Sequence, residues 1–484
     1  MSRVALDNGA TMILNKESCG VEHAHGKGYM HGAPYTIGGA AVKSKGGDIA
    51  FKTVDDGCIA KAKHRIVFEG SGHDLTIAQS VNDLLKAVYD TLEVHRTLTS
   101  VRRVLHRDMN IFNLLMYPQW RSCNDKQSVK HCSPLIDDVL HGELRKLENR
   151  KACCVVIDLD NSEKPGHAHL IKQLELQHRA GTPPYISRAI ANGIFCHSHA
   201  SMLWTKRMPH LAGEAKDLYL KVLGEDKYNQ YNDPPTSNIF HGGVPPQEYD
   251  EDDMENKAKS LELNHRCEYD AESVFWTMYS ALLRVTPVGF EETPTTARRF
   301  NKDWAVLCEH SISSQRQPAD SRDEILAYAR SHFIAAFPEI MAPVGRLIRD
   351  IAAHVAPSYA MMEQLPPHDD HLHEAMQRLI LQYLVDNLTA DIPLVPGKLR
   401  VPFGKEEPAP ISSTAGGTAG ESRRAQERGS GQGQEEVQKQ WAQAQHAASR
   451  PDAKGARGLK RSRDPATDDL ASLRRSKRLT SQRK

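Results

Sequence analysis

Between two apolar runs, residues 104–118 read VLHRDMNIFNLLMYP, which gathers His106, Arg107, Asp108 and Asn113 into one short stretch. A second carboxylate, Asp158, ends the apolar segment ACCVVID. Phosphoryl transfer requires such a set: one carboxylate to orient the attacking hydroxyl, and a second carboxylate with an amide oxygen to hold Mg²⁺ against the phosphates. Asp108 fits the first role, Asp158 and Asn113 fit the second, and His106 and Arg107 brace the loop. A plainer alternative stands beside this one, in which the tripeptide is a surface turn, Asn113 caps a helix and DLDN caps a second turn. The order of the two segments favours the chemical reading.

The flanking elements follow from periodicity. HRIVFEG, from His64, reads as a buried strand. SVNDLLKAVYDTLEVHRTL carries Val81, Leu84, Leu85, Val88, Leu92 and His95 at helical spacing, with Ser80 as N-cap. A polar insertion, 119–151, precedes the strand that ends at Asp158, and the Gly/Pro-marked loop RAGTPPYISRAIANG follows it. DAESVFWTMYSALLRV is apolar almost all round, which predicts a helix buried in the core of a large domain. DEILAYARSHFIAAF and HLHEAMQRLILQYLVDNL read as helices that close the globular part near Leu388. Upstream, YTIGGAAVKSKGGDIAFKTV predicts short strands separated by Gly turns. Beyond Pro408 apolar residues thin out and disorder is expected.

Composition narrows the function classes. The 62 Lys and Arg nearly balance 61 Asp and Glu, so no global polyanion-binding surface is implied. Residues 451–484 are the exception, with eleven basic and four acidic side chains. There KRSR at 460–463 and RRSKR at 474–478 suit a two-part nuclear import signal read by an import receptor; a solubilising tail, or one touching nucleic acid nonspecifically, is the alternative. Nine Cys without CxxC spacing argue against a disulfide framework or a structural zinc site, and for a reducing compartment. No apolar run approaches the roughly 20 residues a membrane helix needs, so the expectation is a nuclear or cytoplasmic protein with no membrane contact. His23, His25 and His31 lack a Cys or carboxylate cluster and read as a flexible tail.

The motifs together resemble the fungal-type protein kinase family, a divergent branch of the protein-kinase-like fold. The resemblance rests on HRIVFEGSGHDL, YDTLEVHR, VLHRDMNIFNLLMYP, VVIDLDN, GTPPYISRAI and YDAESVFW, in family order from 64 to about 286. HRDMNIFN matches the catalytic-loop pattern HRDLxxxN in every polar position, with Met109 in place of Leu. The resemblance implies an α+β, two-lobed fold with a mainly helical C-lobe and a reduced or incomplete N-terminal β lobe. It divides the chain into an N-terminal region (1–63), a kinase-like domain (64–390, with the insertion 119–151) and a disordered linker with basic tail (391–484). It further implies ATP and Mg²⁺ as cofactors and Ser/Thr hydroxyls of proteins as acceptors. Asp108 would orient the hydroxyl, Asn113 and Asp158 would ligate metal, and Thr182 would shape the peptide-binding loop. Asp270 would accept hydrogen bonds from the backbone of the HRD loop, and HRIVFEG would form the strand and hinge beside adenine.

Departures accompany the matches. Asn110 stands where a Lys is common, which removes a cation; Asp158-Leu159-Asp160 replaces DFG; Ser187-Arg188-Ala189 replaces APE and loses the Glu that ties this segment to a distant Arg. Lys43 in AVK is the candidate phosphate-binding lysine, but no GxGxxG precedes it and no Glu lies between it and His64. A solvated turn lysine is the competing assignment. Weak phosphotransfer is therefore expected, and a scaffold without turnover is the alternative.

Overall fold

The computed structural model describes residues 71–119, 133–146, 149–162, 181–194, 207–232, 263–312, 320–327, 330–359 and 368–402, preceded by short strands described at the level of backbone. Three buried helices carry the core. Ser80 Oγ accepts from the Asp83 amide and starts α1 (Val81–Ser100), whose apolar positions Leu84, Leu85, Val88 and Leu92 are all buried. Helix α2 (Cys267–Arg284) is buried along its whole length, as its apolar circumference predicts. Phe275, Trp276 and Tyr279 pack on one another there, with Phe275 and Tyr279 stacked at 6.1 Å. Helix α3 (His371–Asp386) packs against both. Among the described residues no helix is long and apolar enough to cross a membrane.

Two strands meet beside α1 and set the position of the loop chemistry. Leu114–Gln119 pairs antiparallel with Cys154–Val156, in the register Leu114 to Val156, and on its other side with Ser71–His73. That register brings the residue before Leu114 and the end of Cys154–Val156 to the same edge. Upstream, Tyr35–Ala41 pairs with His64–Glu69, and Lys43–Ser44 pairs with Gly47–Asp48, in line with the short strands expected there.

Two sequence expectations change. The insertion 119–151 was expected to be polar and separate, yet it contains the helix Ile136–His141, with Leu135, Ile136 and Val139 buried. One of its acidic residues points inward: Asp138 is fully buried against Arg145 Nε at 2.7 Å, and Asp90 of α1 accepts from the amides of Ile136 and Cys153 at 2.8 Å each. Within DEILAYARSHFIAAF the described residues form the helices Asp323–Ala327 and Arg330–Ala336, and 328–329 lie outside them. The boundary at 390 also moves. Leu394–Leu399 pairs with Val285–Pro287, and Arg400 is buried between Glu292, the carbonyls of Leu283 and Ala336, and the Phe300 ring at 4.3 Å. Apolar patterning is weak at 391–402, and one buried guanidinium with several acceptors anchors it instead. The basic tail and His23, His25 and His31 lie outside the described residues.

Candidate active site

Helix α2 is the frame of the site. Its Asp270 carboxylate accepts from the backbone amides of His106 (2.9 Å, Oδ2) and Arg107 (3.0 Å, Oδ1), and its Thr277 hydroxyl donates to the Met109 carbonyl at 3.2 Å. The seven-residue spacing of Asp270 and Thr277 puts both on one helical face, so one rigid element holds the loop at two points. Arg107 is thereby kept at φ 71, a left-handed conformation that costs a non-glycine residue about 1–3 kcal/mol. Asp270 also takes His95 Nε2 at 2.7 Å and His265 Nε2 at 3.0 Å. Burial pushes its carboxyl up, but the charge and hydrogen bonds of the two imidazoles outweigh that and hold it well below the usual carboxylate range.

Asp108 sits half-buried at the turn of the loop with its two oxygens treated differently. Oδ1 accepts from Thr182 N (2.9 Å), Thr182 Oγ1 (2.9 Å) and Asn110 Nδ2 (2.8 Å). Among the described residues Oδ2 has a single long contact, Asn161 Nδ2 at 3.4 Å. One oxygen is fixed and the other is left for a proton donor. Asn110, counted in the sequence as a lost cation, is a positioning residue here: Nδ2 also reaches Thr182 Oγ1 at 2.9 Å, and Oδ1 accepts from the amides of Phe112 and Asn113. Sequence reasoning missed Asn161 as well, because the final Asn of DLDN looked like a turn cap.

Asn113 and Asp158 come together through the strand pair. Ile157 N donates to the Asn113 carbonyl at 2.9 Å, and Asn113 Nδ2 donates to the Asp108 carbonyl at 2.9 Å. The Asn113 amide oxygen accepts no hydrogen bond from the described residues, and neither does the Asp158 carboxylate, which is carried at φ 63. A hard oxygen-seeking cation such as Mg²⁺ fits this pair of uncommitted oxygens, one anionic and one neutral. His106 links the two loops: Nε2 donates to the Ile157 carbonyl at 2.9 Å while Nδ1 accepts from Asp108 N at 3.3 Å. Burial lowers the pKa of the imidazole, favouring the neutral form with one donor and one acceptor that both contacts need.

The segment carrying Thr182 is anchored in a way the sequence did not foretell. Gly181 has φ +144, and a Cβ there would come within 2.7 Å of Ile186, so the turn requires glycine. Arg188, one residue before the position of the missing Glu, places Nε 2.7 Å from Glu272 of α2 and NH1 2.9 Å from Asp323, with NH2 on the Val355 carbonyl at 2.8 Å. The tie made by that Glu is absent, and Arg188 beside it supplies another in which the segment carries the cation. Arg322 adds a second clamp, donating to the Ile186 carbonyl at 2.6 Å while its guanidinium lies 4.9 Å from the Trp276 ring centre.

The structure thus brings together His106, Arg107, Asp108, Asn113, Asp158 and Thr182. Lys43 opens the strand Lys43–Ser44, but its side chain lies outside the described residues. A family model for fungal protein kinases matches residues 22–282, more than half of the 484. The chain belongs to the fungal protein kinase family. A search of curated proteins finds no match. Fungal protein kinase membership and the geometry bear on the same stretch, because the match contains every loop residue named above and ends within α2.

Proposed function

We propose that this fungal protein kinase family member transfers the γ-phosphoryl group of ATP to Ser or Thr hydroxyls of proteins, with Mg²⁺. The observation that carries the reading is the uneven treatment of Asp108: Oδ1 is held by Thr182 and Asn110, while among the described residues Oδ2 has only the long Asn161 contact. Oδ2 would accept the acceptor hydroxyl's hydrogen bond and take its proton as the oxygen–phosphorus bond forms. Asn113 and Asp158 would hold Mg²⁺, which when bound neutralises charge on the phosphates. Thr182 would keep Asp108 and the peptide-binding segment in one register.

Turnover is proposed to be slow. Asn110 is neutral, Lys43 is the one candidate for a phosphate-contacting lysine, and no Glu between 44 and 63 can pair with it. Alignment of the triphosphate supplies much of the rate in phosphoryl transfer, so an incomplete cradle slows it. A scaffold that binds partners without turnover is the second reading, and the same missing Glu favours it. The tail signals at 460–463 and 474–478 support nuclear delivery by an import receptor.

The test is thermal shift of the full chain with ATP, with and without Mg²⁺. A ligand selective for the folded state raises the melting temperature. The expected result is a Mg²⁺-dependent rise that Asp158→Asn abolishes; equal Mg²⁺-dependent shifts in both proteins would remove Asp158 from the metal site.

A further inference from the structure

Behind the catalytic loop, each of the three core helices contributes one side chain to a single buried point: His95 from α1, Cys267 from α2 and His373 from α3. His95 and His373 are fully buried, and Cys267 is a free thiol exposed by only 8%. His95 Nδ1 lies 2.8 Å from His373 Nε2, and Cys267 Sγ lies 3.9 Å from the His373 ring nitrogens. The donor atoms all fall within 4.8 Å of one another. We propose that these three residues form a binding site for one divalent transition-metal ion of the zinc type.

Donor chemistry selects the ion. Two imidazoles and a thiol suit zinc or cobalt and disfavour Mg²⁺ or Ca²⁺, which require oxygen. Bonds of about 2.0–2.1 Å to nitrogen and about 2.3 Å to sulfur place tetrahedral donors roughly 3.3–3.7 Å apart. The present spacings, from 2.8 to at most 4.8 Å, straddle that range, so shifts of up to about an ångström suffice. The two imidazoles are coplanar within 5° and share an N–H···N hydrogen bond. The incoming ion displaces that bond: the His373 proton passes to its other ring nitrogen, the thiol proton leaves to solvent, and both freed lone pairs bind metal. Three protein donors leave the fourth tetrahedral position to water.

A carboxylate already stands where metal-binding imidazoles need one. Asp270 Oδ2 holds His95 Nε2–H at 2.7 Å, which fixes the tautomer and aims the Nδ1 lone pair at the cluster. Thr99 Oγ1 lies 3.5 Å from Cys267 Sγ as a second supporting contact. The sequence offered no sign of this site, because 172 residues separate His95 from Cys267 and a further 106 lead to His373, with no CxxC among them. Since Asp270 also holds the amides of His106 and Arg107, an ion here stiffens the support of the catalytic loop.

The test uses the full chain stripped with a chelator, then titrated with Zn²⁺ against a chromophoric competitor, and with Co²⁺ read by thiolate-to-cobalt charge-transfer absorption. Expected are uptake of one equivalent, a charge-transfer band, and a Zn²⁺-dependent rise in melting temperature. Cys267→Ser loses the band and weakens Zn²⁺ binding at least about tenfold, whereas Cys308→Ser, at an exposed thiol, changes neither. His373→Gln weakens Zn²⁺ binding with the thiol intact, which keeps the test valid should Cys267→Ser fold poorly. No stoichiometric uptake, or affinities unchanged in both ligand variants, overturns the site.

Discussion

Two polar clusters use the same residue types to different ends. At Glu374 on α3, Oε2 meets Arg96 at 3.0 Å and Oε1 meets Arg378 at 2.8 Å, with the Tyr219 hydroxyl donating as well. Arg378 is itself enclosed, 4.2 Å from the Tyr228 ring centre and bonded to the Tyr228 and Pro209 carbonyls and to Asn232. Both carboxylate oxygens are occupied, and the cluster can only hold helices together. At Asp108, among the described residues, one oxygen takes three donors and the other only the long Asn161 contact, and Asp158 has no partner there. Fold and chemistry are separated here by how completely a carboxylate is satisfied, since buried polar groups are normally paired and exceptions concentrate where function needs them.

The largest expected effect sharpens that contrast. Glu374→Gln removes the carboxylate paired with the buried Arg378, while Arg96 keeps Asp370 and Glu93, and should cost about 3–5 kcal/mol, measured by urea denaturation at neutral pH. A loss below about 1 kcal/mol would mean that the cluster is no more structural than the Asp108 site. Asp270→Ala comes next, because Asp270 joins the frame to the loop. Losing the acceptor for two buried amides should cost about 1–3 kcal/mol and accelerate hydrogen exchange at His106 and Arg107. Unchanged exchange at those amides would show that the loop stands without α2.

Acid separates the clusters further. Burial raises the Glu374 carboxyl, but Arg96, Lys227 and Arg378 outweigh it and hold it at about 2. A carboxylate depressed from 4.5 contributes stability that is complete above that value and is lost as pH falls through about 2. His310, pushed down to about 3 by burial and then by Arg322, stays neutral when folded; its contribution is whole above 6.5 and declines as pH falls toward 3. Urea midpoints should therefore fall in two stages, from about pH 6.5 downward. Glu374→Gln should shrink the lower stage, to which the depressed Asp270 also contributes, and leave the upper one. The smallest effect is at the open carboxylate: Asp108→Asn keeps an acceptor at Oδ1 and should change stability by less than about 1 kcal/mol. A larger loss would place Asp108 with Glu374 as a structural residue.

The catalytic loop, α1 with its Ser80 cap and the buried circumference of α2 were legible because each is a local pattern. Arg188 was not, since its partners Glu272 and Asp323 lie 84 and 135 residues away. Nor was the helix Ile136–His141, whose buried Asp138 makes a core segment look like a polar insertion. Asn110 shows a subtler limit. Its type announced the loss of a charge, while the geometry gives it three contacts that orient Asp108 and Thr182. Similarly, 391–402 carried too few apolar residues to be read as a strand, and its anchor is the Arg400 guanidinium.

One measurement bears most directly on the claim that the unfilled oxygen of Asp108 is what the rest of the domain supports. Transfer of labelled γ-phosphate from ATP to a generic basic protein should be compared for the full chain and for Asp108→Asn, both shown to be folded. The account predicts slow incorporation on Ser or Thr that Asp108→Asn lowers by about 10² or more. Incorporation at equal rates in the two proteins, or none from the unaltered chain while it binds Mg²⁺ and ATP, would contradict it.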